Sequence, residues 1–226
     1  MESEADKTLW TSVDRYLNET VARNDEALEA AMKANADAGL PSIDVTASQG
    51  KFLHVLALAT GAKRVLEIGT LGGYSTIWLA RALGRGGRVV TLEYEPKHAE
   101  VARKNLKRAG LAKKVDIRVG PAADSLARLA EEGVKPFDLI FIDADKKSNP
   151  VYLDWALKLA KRGALIVVDN VVREGELVNT DSTDPDIVGT RAMFTRMSNE
   201  SRLVATAVQT VGSKGYDGFA IAIVAG

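Results

Sequence analysis

The chain has 226 residues, 46% of them hydrophobic, 27% charged and 6% aromatic, enough for one sizeable core. Lys plus Arg and Asp plus Glu both count 30, so the formal net charge is zero and no bulk electrostatic attraction recruits nucleic acid or an anionic membrane. There is no cysteine, which excludes disulfides, thiolate metal sites, iron–sulfur clusters and a cysteine nucleophile; any metal must use oxygen or imidazole.

Residues 1 to 6 are acidic and lack the basic and apolar regions of a signal peptide, and no apolar run reaches bilayer length, so a cytoplasmic protein is expected. Residues 6 to 38 read as two helices. Leu9, Trp10, Val13, Tyr16 and Leu17 recur at helical spacing, and Ala27, Leu28, Ala31 and Met32 do so after an Asn24-Asp25 start. Gly39-Leu40-Pro41 stops them, and a third helix is predicted over about 48 to 60. From there strands at 63 to 68, 88 to 93, 114 to 119, 138 to 143 and 163 to 169 alternate with helices at 73 to 83, 96 to 109, 121 to 132 and 150 to 161. The apolar runs Leu139-Ile140-Phe141-Ile142 and Ala164-Leu165-Ile166-Val167-Val168 suit strands covered on both faces, which predicts an α/β doubly wound sheet. Residues 173 to 189 read as a mobile acidic loop and 186 to 198 as a further helix. The strands 202 to 210 and 217 to 225, joined by Gly212-Ser213-Lys214-Gly215, read as an antiparallel pair at one edge.

Four predicted strands carry an acid at or beside their last residue: Glu67, Glu93, Asp143 and Asp169. In a parallel sheet these lie at the carboxyl edge, where open α/β sheets bind ligands. One such acid alone is more often a helix cap or a solvated group, but four together predict a local cation site. The first turn, Glu67-Ile68-Gly69-Thr70-Leu71-Gly72-Gly73-Tyr74-Ser75, lets backbone approach a ligand closely, although its glycines do not have the G-x-G-x-x-G spacing of a pyrophosphate site. Glu93 follows about two dozen residues later, where a carboxylate can accept both hydroxyls of a ribose. Turn and acid together predict a nucleoside site. His54, His98, Trp78 and Trp155 read as packing or solvated-face residues, whereas Trp10 lies in a segment able to reach an acceptor pocket.

The segment from Val65 through the glycine turn to Ser75, the acid Glu93, and the runs Phe141-Ile142-Asp143-Ala144-Asp145-Lys146 and Val168-Asp169-Asn170 resemble those of the cation-dependent O-methyltransferases. The similarity is to the caffeoyl-CoA and catechol O-methyltransferase group, especially its bacterial members, over about residues 40 to 226. It implies a Rossmann-like sheet of seven strands, mostly parallel with the last antiparallel, helices on both faces, and S-adenosylmethionine (SAM) as methyl donor. Residues 1 to 40 would shape the acceptor pocket and a homodimer contact, and 41 to 226 would form the SAM-binding core of a single domain.

By the same resemblance Glu67, Gly69, Thr70 and Ser75, with Val45, would line the methionine part of SAM. Glu93 would hold the ribose, Tyr94 flank the adenine, Ala122 meet the adenine edge through its backbone, and Asp143 and Asp145 also contact the cofactor. Asp143, Asp169 and Asn170 are hard oxygen donors suited to a divalent cation such as Mg²⁺, with positions left for two substrate oxygens. Lys146 stands where the group has its general base, next to Asp143, so that an acceptor phenol of ordinary pKa ~10 can be deprotonated. The insertion of Lys147-Ser148-Asn149 before Pro150 departs from the plant-type pattern, so a small vicinal-dihydroxy aromatic is expected rather than a coenzyme A ester. The competing readings are an NAD-linked oxidoreductase, a non-catalytic SAM-binding protein, and a nucleic-acid methyltransferase. The last lacks a basic stripe, since Lys113-Lys114 and Lys146-Lys147 are isolated pairs.

Overall fold

The apolar runs in the middle of the chain become β1 (Arg64–Ile68), β2 (Arg88–Glu93), β3 (Val115–Val119), β4 (Phe137–Ile142) and β5 (Ala160–Asp169). The computed structural model describes residues 4–226; residues 1–3, which begin the acidic N-terminal stretch, lie outside the described residues. The strand order is β3-β2-β1-β4-β5-β7-β6, with β1 to β5 mutually parallel. The chain winds outward from β1 to β3, returns to β4 and winds the other way, so the strand order reverses between β1 and β4.

Period-two alternation divides the strand side chains between two cores. On one face Leu66, Ile140 and Ile166 pack with Leu126, Leu153 and Met193. These come from α6 (Ala122–Glu131), α7 (Asn149–Leu159) and α8 (Pro185–Asn199). On the other, Val65, Phe141 and Val167 pack with Leu28, Leu53 and Ile77. Those lie on α2 (Glu26–Asp37), α3 (Ala47–Ala59) and α4 (Tyr74–Ala82), while α5 (Pro96–Arg108) covers the same side near β2. Every residue of β4 is buried, as a central strand covered on both faces requires. Helix starts follow local chemistry: the Asp25 carboxylate accepts from Leu28 N–H at 3.1 Å, the Thr46 hydroxyl accepts from Gln49 N–H at 3.2 Å, and Pro150 opens α7.

The expected seven-stranded sheet forms with its last strand antiparallel and the C-terminal pair at one edge: β7 (Gly215–Val224) inserts between β5 and β6 (Leu203–Gly212) and runs antiparallel to both. Insertion lets Ala220, Ala222 and Val224 bury against β5, which an outer β7 would leave to solvent. The segment 173 to 189 is more structured than a loop: a 3-10 stretch spans Arg173–Val178 and α8 starts at Pro185. α1 (Glu4–Thr20) is helical as its spacing predicts, yet it buries no residue, and Leu9 and Tyr16 remain 61% and 67% exposed.

At the opposite end of the sheet from the acids, Asp138 of β4 accepts backbone N–H groups of Lys63 and Arg64 at 2.7 and 2.6 Å and pairs with Lys161 at 2.5 Å. One carboxylate thus fastens the starts of β1, β4 and β5. Asp138→Ala strands those donors and is expected to lower stability by about 1–3 kcal/mol in urea unfolding, the usual cost of unpaired buried donors.

Candidate active site at the carboxyl ends of the strands

The register places three of the four acids on one level. Ile68 pairs with both Leu92 and Ile142, and Ile142 pairs with Val168, so the next residues along are Gly69, Glu93, Asp143 and Asp169. Glu67 lies two residues deeper and does not share that level. It is fully buried, and its carboxylate accepts hydroxyl hydrogen bonds from Ser75 and Thr91, both at 2.6 Å, and from Thr76. Burial pushes the Glu67 carboxyl up to about 7, against the opposing effect of those three donors. Its observed contacts tie the first turn of α4 to β1 and β2.

Glu93 organises the glycine turn. Its Oε2 accepts Thr70 N–H at 3.2 Å and Leu71 N–H at 2.7 Å, while Oε1 accepts Glu95 N–H at 2.8 Å. A carboxylate offers about four acceptor positions, so one remains for a ligand. Gly69, at φ +104°, meets the neighbouring strand end: a Cβ there would lie 2.1 Å from the Asp143 carbonyl oxygen. Only glycine allows the loops after β1 and β4 to approach this closely.

Sequence reasoning missed the support behind this turn. Asn35 of α2 donates to Asp44 Oδ1 at 2.9 Å and accepts from Asn105 Nδ2 at 3.0 Å. Asn105 of α5 also donates to the Gly72 carbonyl at 2.9 Å. All three side chains are buried, and burial holds the Asp44 carboxyl above its ordinary value. The only sign in the sequence was polar Asn35 within the apolar face of a helix, which does not reveal its partners.

At the next strand ends Lys146 Nζ donates to Asp143 Oδ1 at 2.9 Å, and the lysine is only 5% exposed. A surface lysine is therefore excluded. Asp169 accepts the N–H of Asn170 at 2.8 Å. Its carboxyl is pushed well above the ordinary carboxylate range, first by burial and then by the charge of Asp143, with Lys146 opposing. Asn170 sits in the left-handed region at φ 54°, a conformation that asparagine tolerates better than most residues. Asp145 turns into the 3-10 stretch Lys146–Ser148, accepting from Ser148 Oγ and Tyr152 Oη at 2.5 Å each.

These strand ends open onto a cavity of about 840 Å³. Every residue expected to meet the cofactor lines it except Glu67, which lies beneath its floor; of the expected metal set, Asp143 and Asn170 line it and Asp169 does not. Trp10 is not on its wall. His98, read as part of a solvated face, is on the wall with Nδ1 3.4 Å from Glu93 Oε1. His54 packs as predicted, its Nδ1 3.0 Å from the Trp78 carbonyl oxygen. Among the described residues no group of three or more His, Cys, Asp or Glu is placed to hold a metal, so the set drawn from sequence depends on the amide of Asn170.

A glycine turn held by an acid at the end of β2, beside a buried lysine paired with a half-buried aspartate across the reversal point, defines an α/β enzyme site for a nucleoside-bearing cofactor. The family model described as O-methyltransferase matches residues 18–220. A catechol O-methyltransferase of Mycobacterium tuberculosis is 58% identical, over 94% of this chain and 94% of its own. The O-methyltransferase from Bacillus cereus, solved in complex with S-adenosylhomocysteine (SAH), is 53% identical with a TM-score of 0.95, covering 96% of this chain and 99% of that one. TomG from Streptomyces achromogenes, an O-methyltransferase solved with SAM, is 47% identical with a TM-score of 0.95 over 100% of both chains. The chain belongs to the O-methyltransferase family, and it is a SAM-dependent enzyme.

Glu67 gives a test of the buried layer. Its folded carboxyl titrates near 7 and its unfolded one near the ordinary 4.5, so its contribution to stability is complete below pH 4.5 and is lost as pH rises through 7. Glu67→Gln is expected to flatten the fall in unfolding free energy between pH 5 and pH 8, by on the order of 1 kcal/mol per pH unit, in urea titrations across that range.

Proposed function

We propose that this SAM-dependent O-methyltransferase methylates one hydroxyl of a catechol-type aromatic small molecule, with a hard divalent cation, Mg²⁺ first, held by Asp143, Asp169 and Asn170. The observation that carries the reading is the pairing of Lys146 with Asp143 at 2.9 Å, at the strand end beside Asp169 and on the cofactor cavity. The donor set fits a hard cation. All three groups offer oxygen, and burial and a neighbouring negative charge raise the Asp169 carboxyl above its ordinary value, both of which a bound dication would offset. When bound, the cation supplies Lewis acidity that lowers the pKa of a coordinated phenol, and SAM supplies the methyl group on a sulfonium.

The chain's own residues do the remaining work. Lys146 is positioned to take the proton from the reacting hydroxyl once its amine is neutral, and Asp143 orients that amine. The methyl carbon then leaves the sulfonium sulfur for the phenolate oxygen, so one S–C bond breaks as one O–C bond forms and SAH departs. The glycine turn and Glu93 hold the donor, which reduces the transfer to alignment within one cavity. For the donor, we assign Ser75, Val45, Gly69 and Thr70 to the methionine part, with Glu67 supporting Ser75 from below. Glu93 takes the ribose through its remaining acceptor position, Tyr94 and the backbone of Ala122 flank the adenine, and Asp145 completes that wall.

The exposed apolar residues of α1 and of edge strand β6, among them Leu9, Tyr16 and Val204, support a homodimer contact. No described helix is long and apolar enough to cross a membrane, and zero net charge gives no general attraction to nucleic acid. We accordingly assign a small-molecule phenolic partner and a cytoplasmic setting.

Methyl transfer to catechol, followed by mass spectrometry with Mg²⁺ present, is expected to disappear on adding a chelator. In Asp169→Ala it should fall at least about 100-fold, with SAM still bound in calorimetry. Transfer that survives both changes removes the cation from the proposal. Lys146→Ala is expected to lower kcat by about 10²–10⁴, the range of a general base, with a smaller change in cofactor affinity.

A further inference from the structure

We infer that Arg173 binds a carboxylate carried by the acceptor, so that the enzyme selects dihydroxy aromatic acids over neutral catechols; the inference rests on the catechol reading above.

Arg173 lies three residues after Asn170 and, among the described residues, is the one arginine on the wall of the cavity that also holds Asp143 and Lys146. Its backbone is fixed in an uncommon conformation. Arg173 and Glu174 have φ values of 55° and 56°, in the left-handed region that side chains with a Cβ seldom adopt. The carboxylate of Asp217, on β7, accepts the N–H groups of Val172 and Arg173 at 3.0 Å each and secures the turn. Strain held in place by surrounding structure is characteristic of ligand-contacting segments.

The guanidinium is underused. Its ion-pair partner among the described residues is Asp186 at 3.8 Å, beyond hydrogen-bond distance, and the other oxygen of Asp186 accepts Lys147 N–H at 3.0 Å. By contrast Arg118 grips both oxygens of Glu132 at 2.8 and 3.0 Å, and Arg196 both oxygens of Asp154 at 2.7 Å. Arg173 thus lines the cavity with a planar fork of donors that no bidentate acid among the described residues takes up, the chemistry that matches a carboxylate.

The same cavity carries both signs of charge. Lys146, Lys147 and Arg173 share the wall with Asp143, Asp145 and Asp186, while Asp44, Glu93 and Glu95 line it along with the glycine turn. The wall also includes carbon surface from Val151 and Tyr152. An aromatic ring whose hydroxyls meet the Asp143–Lys146 pair would direct an anionic substituent toward Arg173.

The test uses the full chain with SAM and Mg²⁺ and three acceptors that share one ring: 3,4-dihydroxybenzoate, 3,4-dihydroxybenzyl alcohol and 3,4-dihydroxybenzylamine. The wild type is expected to favour the acid over the alcohol at least about ten-fold in kcat/KM, mainly through KM. In Arg173→Gln that ratio should fall about ten- to a hundred-fold, the range for losing a charge-assisted hydrogen bond. Arg173→Lys should retain an intermediate ratio, and Arg173→Glu should turn the preference toward the amine. A wild-type ratio near one, or a ratio unchanged in Arg173→Gln, overturns the inference while leaving the catechol reading intact. An equal loss for acid and alcohol, as expected if Arg173 served the carboxylate of SAM instead, also overturns it. If the wild type methylates none of the three acceptors, the catechol reading fails and this inference fails with it.

Discussion

The contact on which the rest of the molecule depends is the approach of the first turn to the end of β4. At Gly69 the backbone passes so close to the Asp143 carbonyl that a methyl group would lie 2.1 Å from it. That proximity brings a turn shaped for a cofactor and a strand end bearing a carboxylate onto one cavity wall. Glu93 completes the joint from the other side by accepting two consecutive N–H groups of the turn. The strands converge because the reversal of strand order lies between β1 and β4.

The acids at the strand ends have different depths and different work. Glu67 is sealed beneath the cavity and satisfied by three hydroxyls, so its observed contacts are structural. Glu93 lines the cavity while both of its oxygens accept backbone N–H groups. Asp143 and Asp169 stand one strand apart, where their charges repel and Lys146 offsets part of the repulsion. A layer of satisfied acid beneath a layer of under-compensated acid concentrates the unmet electrostatic demand at the surface of the site.

The N-terminal helices and the segment after β5 frame this site from opposite sides. α2 reaches the glycine turn through Asn35, Asn105 and the Gly72 carbonyl, so the helical region ahead of the core participates in holding the cofactor side. The segment after Asn170 takes left-handed turns at Arg173 and Glu174 and is pinned by Asp217. The two flanks are built from different parts of the chain, one ahead of β1 and the other after β5.

The sequence by itself determined the alternation of strands and helices, the acids that end the strands, the glycine turn and the Asp-Ala-Asp-Lys run. These depend on local periodicity, turn chemistry and short spacing, which a linear reading can detect. Only the tertiary structure decided that Glu67 lies a layer below the other acids, that β7 slips between β5 and β6, and that His98 and Arg173 face the cavity. It alone revealed the chain of contacts from Asp44 to Gly72. The reason is physical: strand register, sheet order and the depth of a charge arise from contacts between residues far apart in the chain, and local pattern holds no record of them.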